Sequence, residues 1–118
     1  MLKNILLVGA GGFTGSVLRY LVSLFISDKN FPWATLIINI TGCFLIGLLA
    51  AVINQNNTAK LLLATGLCGG FTTFSALSLD AVKLLQQQQF TKAFLYISLS
   101  FILGICASFA GMYLIKNN

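Results

Sequence analysis

The 118-residue chain is poor in the side chains that carry out most enzyme chemistry. It has no histidine and only two acids, Asp28 and Asp80, so the commonest general base and metal ligand is missing. Charged residues make up 8% of the chain, whereas soluble domains carry roughly a quarter. These deficits argue against an enzyme and indicate a protein whose surface mostly faces lipid.

The net charge of +5 does not indicate a nucleic-acid partner. The lysines are distributed one or two per segment end and form no basic patch, which favours anchoring at the membrane surface. The three cysteines lie in apolar segments without metal-type spacing, so they are expected to be packing residues: Cys43, Cys68 and Cys106. No cleavable signal peptide is expected, because no small-residue cleavage site follows the first apolar run.

Four apolar segments are long enough to cross a bilayer, which takes about 20 residues. They cover residues 4–27, 33–54, 59–85 and 91–115 and are joined by short polar connections. Residues 1–118 are therefore expected to form a single all-α membrane domain of four transmembrane helices. Gly11 and Gly15 on the first segment predict close helix packing.

The third segment contains residues that are unsuited to a continuous helix. Gly69 and Gly70 are followed by the β-branched Thr72 and Thr73 near its middle. Irregular backbone at membrane depth is tolerated only where it is buried in protein or lines a polar cavity, and its free carbonyl and amide groups commonly hold ions. The sequence therefore predicts a helix break at residues 69–73 with an ion site beside it.

Positive charge is nearly balanced between the two sides of the membrane. The lysines on the two sides are Lys3, Lys60 and Lys116 against Lys29, Lys83 and Lys92. Because this leaves almost no positive-inside bias, the chain is predicted to insert in both orientations and to pair as an antiparallel dimer. Four helices are also too few to surround a pore, which favours an oligomer.

Several polar side chains within the segments are candidates for contact with an ion. Arg19 either raises the anion concentration at a vestibule or reaches back to the membrane surface. Thr35 and Asn39 share one helical face, where the Asn39 amide either donates to an anion or joins two helices. Tyr96 and Ser100 form a similar stripe on the fourth segment, whereas Ser98 is expected to bond to its own helix.

Phe74 follows the predicted break. Its ring has an electropositive edge that can contact an anion, although packing explains a phenylalanine here equally well. Free carbonyls at residues 69–73 would instead suit a cation such as Na⁺, which takes oxygen ligands. The residues alone leave both kinds of ion open.

These motifs together resemble the small bacterial fluoride channels of the Fluc or CrcB family. The matching stretches are Gly-Gly-Phe-Thr-Gly-Ser-Val-Leu-Arg-Tyr at 11–20, Thr-Leu-Ile-Ile-Asn-Ile-Thr-Gly at 35–42 and, most specifically, Gly-Leu-Cys-Gly-Gly-Phe-Thr-Thr-Phe-Ser at 66–75. The resemblance implies a dual-topology antiparallel homodimer in the bacterial inner membrane. Such a dimer would passively export toxic cytoplasmic fluoride through two narrow pathways.

The same resemblance implies roles for individual residues. A structural Na⁺ at the dimer centre would be held by main-chain carbonyls, here those of Gly69 and Thr72. The family's pore-lining Asn matches Asn39, its vestibule Arg matches Arg19, and its first pore Phe matches Phe74. Positions near the family's polar track are matched by Thr35, Ser75, Tyr96 and Ser100.

One departure from the family pattern concerns the second pore aromatic. Leu77 stands where the family usually has a second Phe, and Ala76 replaces a hydroxyl. An alternative interpretation is therefore that the chain is a subunit that needs a complementary partner in a heterodimer. A small multidrug-type transporter is disfavoured, because it requires a carboxylate in the first segment and residues 1–27 contain none.

Overall fold

The structure is a computed structural model that describes residues 1–26, 30–53 and 57–116. These residues form helices and no strands, and four helical segments are long and apolar enough to cross a membrane, as predicted. The elements are α1 (Leu2–Phe25), α2 (Trp33–Val52), α3 (Asn57–Ala59), a π-helix (Lys60–Cys68), α4 (Gly69–Phe71), α5 (Phe74–Gln86) and α6 (Phe90–Lys116).

The third span, Asn57–Gln86, contains two residues with extended backbone. Thr72 has φ −82° and ψ 156°, and Thr73 has φ −153° and ψ 120°. Gly69 and Gly70, which were expected to leave the helix, remain helical within α4. The difference has a physical reason, because β-branched threonines suit extended backbone. The nine-residue π-helix before α4 was not expected from the sequence.

The first half of the third span packs against α1 through glycine backbones. A Cβ atom added to Gly11 would lie 2.7 Å from the Leu67 nitrogen, and one added to Gly15 would lie 2.8 Å from the Phe71 nitrogen. Cβ atoms in real structures essentially never show contacts this short. The two glycines therefore allow α1 to approach the π-helix and α4 backbone to backbone.

The second half of the third span belongs to a different group of helices. α5 packs against α6, and α6 makes its most extensive contact with α2. The Ser108 hydroxyl on α6 donates to the Cys43 carbonyl on α2 at 3.0 Å. The buried core joins these three helices and is formed by Leu36, Leu77, Leu84, Ala93 and Tyr96.

Much of the apolar surface of the single chain is uncovered. Phe13, Phe94 and Phe109 are each 70–74% exposed, although they lie within α1 and α6. Apolar surface on this scale is typical of a face covered by lipid or by another subunit. The chain is therefore a multi-pass membrane protein.

Candidate ion-handling site

The extended residues of the third span are held by the side chain of Asn39. The Asn39 Nδ2 atom donates to the Thr73 carbonyl at 3.1 Å, and the Thr73 N–H group donates to Asn39 Oδ1 at 2.9 Å. One amide thus pairs with both backbone groups of a residue that has left the helix. This pairing meets the requirement that backbone groups be satisfied at membrane depth.

The two threonines also end one helix and begin the next. The Thr72 N–H and hydroxyl groups both donate to the Cys68 carbonyl, at 3.0 and 2.9 Å. Thr73 is the N-cap of α5, because its hydroxyl oxygen accepts from the Ala76 N–H group at 3.1 Å. Ser75 lies 3.1 Å from the same hydroxyl, so its side chain takes part in the cap.

Arg19 reaches the third span rather than the membrane surface. Its Nε atom donates to the Gly70 carbonyl at 3.2 Å. Gly70 lies in the short helix α4, whose last carbonyls have no helical partners because the helix ends at Phe71. A guanidinium therefore supplies one of the hydrogen bonds that the end of α4 lacks.

Not all carbonyls of residues 69–73 are free, contrary to the sequence expectation. Those of Gly70 and Thr73 accept from Arg19 and Asn39. The Gly69 carbonyl differs, because the Thr73 N–H group, which would donate to it in an uninterrupted α-helix, donates to Asn39 Oδ1 instead. Within the described part of the chain, neither Gly69 nor Thr72 has a hydrogen-bond donor on its carbonyl.

A cavity of about 450 Å³, the central cavity, opens beside the extended residues. It lies between α2, the third span and α6. It brings together six of the residues singled out in the sequence: Asn39, Gly69, Thr72, Phe74, Leu77 and Ser100. Phe74 is 71% exposed in the single chain, whereas Leu77 is only 8% exposed because its side chain also belongs to the buried core.

Two further cavities share lining residues with this region. The Arg19 cavity, of about 290 Å³, is lined by Arg19 and Thr35 and shares Thr73 with the central cavity. The Asp80 cavity, of about 330 Å³, is lined by Asp80 and Lys83 and shares Thr35 with the Arg19 cavity. Thr73 and Thr35 are therefore each a wall of two of these three cavities.

Tyr96 and Ser75 line none of these three cavities. Tyr96 is fully buried, and its hydroxyl donates to Asp80 Oδ2 at 3.1 Å. Its ring packs edge-on against Phe31 at a centroid distance of 5.7 Å. Asp80 on α5 is therefore tied to α6 by a buried hydroxyl.

Ser100 lines the central cavity, but its hydroxyl donates to the Tyr96 carbonyl one turn earlier at 2.7 Å. The sequence had assigned such a bond to Ser98, for which the described residues show no side-chain hydrogen bond. The Ser100 hydroxyl proton is thus engaged within α6, and its oxygen remains able to accept.

The arrangement places groups of both polarities at one depth. The N-terminus of the 13-residue helix α5 directs the Phe74 and Ser75 N–H groups away from the helix, and these have no acceptor within the described residues. The C-terminal carbonyls of α4 are separated from α5 by only two residues, Thr72 and Thr73. Helix N-termini favour anions and free carbonyls favour cations, so the site can bind ions of either sign.

Comparison with known proteins gives matches over nearly the whole chain. The family model described as CrcB-like protein, Camphor Resistance (CrcB), matches residues 6–112. Similar proteins occur in Flavobacterium psychrophilum (47% identical) and Rhizobium meliloti (48% identical), each match covering 98% of both chains. A third, from Phocaeicola vulgatus, is 44% identical and covers 96% of this chain and 98% of its own. All three are named fluoride-specific ion channel FluC.

Proposed function

Because the chain belongs to the CrcB-like protein family, we propose that it is a fluoride-selective channel that passively exports cytoplasmic fluoride. The family resemblance drawn from the sequence motifs is confirmed by the match over residues 6–112. Its relatives are ion channels by name, and the chain is accordingly not an enzyme. The bacterial inner membrane is the location that we propose for it.

The observation that supports this function best is the hydrogen bonding of Asn39. The amide pairs with both backbone groups of Thr73 and still has one N–H bond left on Nδ2. Asn39 and Phe74 both line the central cavity. A fixed amide donor and an aromatic ring edge can contact an anion without a formal positive charge.

Selectivity for fluoride follows from the cost of removing its water. Fluoride is small and strongly hydrated, so a narrow route must offer several replacement donors, as other selectivity filters do. We propose Asn39, Phe74 and Leu77 as the walls of the central part of the route. Arg19, Thr35 and Ser100 line the three cavities and complete the proposed pathway. Ser75 and Tyr96 line none of them and would support the pathway through their side-chain contacts with Thr73 and Asp80.

The carbonyls of Gly69 and Thr72 fit the structural Na⁺ site implied by the resemblance. Both lack hydrogen-bond donors within the described residues, and both residues line the central cavity. Unpaired carbonyls at membrane depth are costly unless a partner supplies positive charge. A bound Na⁺ would supply that charge, as it does at unwound helices of transporters.

We propose an antiparallel homodimer as the conducting unit. Phe74 lies at the wall of the central cavity and is 71% exposed, so a second copy placed there would cover the ring and close the cavity. The near balance of lysines between the two membrane sides allows the opposed insertion that such a pair needs.

Fluoride efflux from liposomes that contain only this chain tests the proposal. A fluoride electrode should record rapid release, while a chloride control with the same liposomes should show none. Chloride release at a similar rate would contradict the proposed selectivity. Absence of fluoride release from a correctly folded dimer would instead favour the heterodimer reading, in which a partner supplies the aromatic that Leu77 replaces.

A further inference from the structure

Arg19 lies on the face of α1 that contacts the third span most closely. A Cβ atom added to Gly70 would lie 2.6 Å from the Gly12 carbonyl oxygen, so α1 and α4 touch through their backbones at this level. Gly12, Gly15 and Arg19 follow each other at spacings of three and four, which places them on one helical face. The glycines bring the two helices together, and Arg19 adds a hydrogen bond at the end of the contact.

That hydrogen bond fixes a peptide group between the two proposed Na⁺ ligands. The Gly70 carbonyl follows that of Gly69 directly and precedes that of Thr72 by two residues. Because a peptide unit is planar, holding the Gly70 oxygen also fixes the orientation of the Gly70–Phe71 peptide. The neighbouring carbonyls can then rotate only about the few dihedral angles that remain between them.

We propose that Arg19 is a positioning residue for the cation site, acting through its Nε–H bond to the Gly70 carbonyl. This role rests on the Na⁺ site of the proposed function and is separate from attraction of anions by the guanidinium charge. The charge itself repels a nearby Na⁺, so it cannot favour cation binding. The N–H donor and the positive charge of Arg19 therefore have effects on the cation site that can be measured apart.

Three substitutions separate the donor from the charge. Arg19→Gln places an amide nitrogen at the position of Nε, since both side chains have three carbons before that nitrogen, and it removes the charge. Arg19→Lys keeps the charge but puts a methylene at that position. Arg19→Met has a similar length and provides neither the donor nor the charge. Lys60→Met, at the exposed start of the π-helix, is the matched control.

The measurement is the melting temperature of the purified full-length protein as Na⁺ replaces N-methylglucamine at constant ionic strength. A bound ion raises the melting temperature of the form that binds it, so the midpoint of the rise reports Na⁺ affinity. We expect Arg19→Gln to have a midpoint at or below that of the unmodified chain. Arg19→Met and Arg19→Lys should raise the midpoint about fivefold, the effect of one lost hydrogen bond.

A purely structural role for Arg19 would lower the melting temperature equally with and without Na⁺ and leave the midpoint unchanged. That result for Arg19→Met would overturn the proposal. Equal midpoints for Arg19→Gln and Arg19→Met, both raised, would overturn it as well, because an N–H donor at the Nε position would then fail to preserve Na⁺ affinity. Lys60→Met should match the unmodified chain throughout.

Fluoride efflux from the same preparations distinguishes a failure of the proposed cation site from a failure of the proposed channel function. Selective efflux by the unmodified chain, with a melting temperature independent of Na⁺, would overturn the cation site and the role of Arg19 but leave the channel intact. A Na⁺-dependent melting temperature without fluoride efflux would contradict the proposed channel function of the homodimer. The Na⁺ midpoints of the Arg19 variants would still test the role of Arg19.

Discussion

Asn39 and Thr73 exchange two hydrogen bonds across 34 residues of sequence, one in each direction, at 3.1 and 2.9 Å. The Thr73 N–H group would donate to Gly69 in an uninterrupted helix, and it donates to the Asn39 side chain instead. The amide therefore stabilises the interruption of the third span directly. It also releases the Gly69 carbonyl from its helical partner.

Asn39→Asp should abolish fluoride efflux. An ionised aspartate can still accept from the Thr73 N–H group, but it has no donor for the Thr73 carbonyl and brings negative charge to a proposed anion route. The free energy of unfolding should also fall by about 1–3 kcal/mol, because a carbonyl at membrane depth loses its partner. Efflux from liposomes and thermal unfolding in detergent measure the two effects.

Thr41→Val is the matched control for Asn39→Asp. Thr41 lies two residues further along α2, is exposed and lines none of the three cavities. The Thr41→Val variant should therefore keep the fluoride efflux and the stability of the unmodified chain. Fluoride efflux preserved in Asn39→Asp would remove Asn39 from the pathway.

Leu77→Phe should be tolerated and should increase fluoride efflux. Leu77 belongs to the buried core, yet it also lines the central cavity, whose volume of about 450 Å³ can accommodate a larger ring. The new ring edge would add a contact for the anion beside Phe74. Efflux rates at equal protein-to-lipid ratio, with the unmodified chain alongside, provide the measurement.

Leu36→Phe provides the contrast for that experiment. Leu36 is in the same core, is 3% exposed and lines none of the three cavities. The larger ring should cost about 1–3 kcal/mol of stability through overpacking. If Leu77→Phe unfolded as readily as Leu36→Phe, the cavity would not extend to position 77 in the assembled protein.

Gly15→Ala should prevent α1 from packing against the third span. The added methyl would lie 2.8 Å from the Phe71 nitrogen, and the backbone at that point cannot move without shifting α4. We expect a loss of about 3 kcal/mol and a lower yield of folded protein. Gly9→Ala on the same helix has nothing within 4 Å of the added methyl, so it should fold normally. Comparable yields of the two variants on size-exclusion chromatography would contradict the close crossing.

Tyr96→Phe should reduce stability by about 1 kcal/mol and slow fluoride efflux. The substitution removes the hydroxyl that donates to Asp80 at 3.1 Å and leaves the ring contact with Phe31 in place. Tyr113→Phe, on the exposed face of the same helix, should change neither quantity. Equal behaviour of the two variants in thermal unfolding and efflux would show that the bond to Asp80 contributes nothing measurable.

The sequence was sufficient to predict the four spans, because apolar segments of about 20 residues or more are typical of membrane-spanning helices. It was less informative about the third span. Glycine and threonine are both poor helix formers, and composition alone could not decide which of them would leave the helix. Two features account for the outcome: the β-branched threonines suit extended backbone, and Gly70 in its helical form packs closely against Gly12 on α1.

The partners of the functional side chains were beyond what the sequence could provide. The residues that Asn39 and Arg19 bond to lie 34 and 51 positions away, and no periodicity connects them. The family resemblance singled out both residues without indicating that each would bind a backbone carbonyl of the third span. The π-helix was missed for a similar reason, because its composition is that of an ordinary apolar helix.

The two halves of the third span have different main packing partners. The first half packs with α1, the second half packs with α6, and α6 in turn packs with α2. Thr72 and Thr73 form the only covalent link within the span between these two halves. Because Asn39 lies on α2 and bonds to both backbone groups of Thr73, a motion of α2 relative to the third span would stretch these two bonds. The proposed ion ligands Gly69 and Thr72 thus lie at the interruption of the span, where a small relative motion of its two halves would change the distance between their carbonyl oxygens.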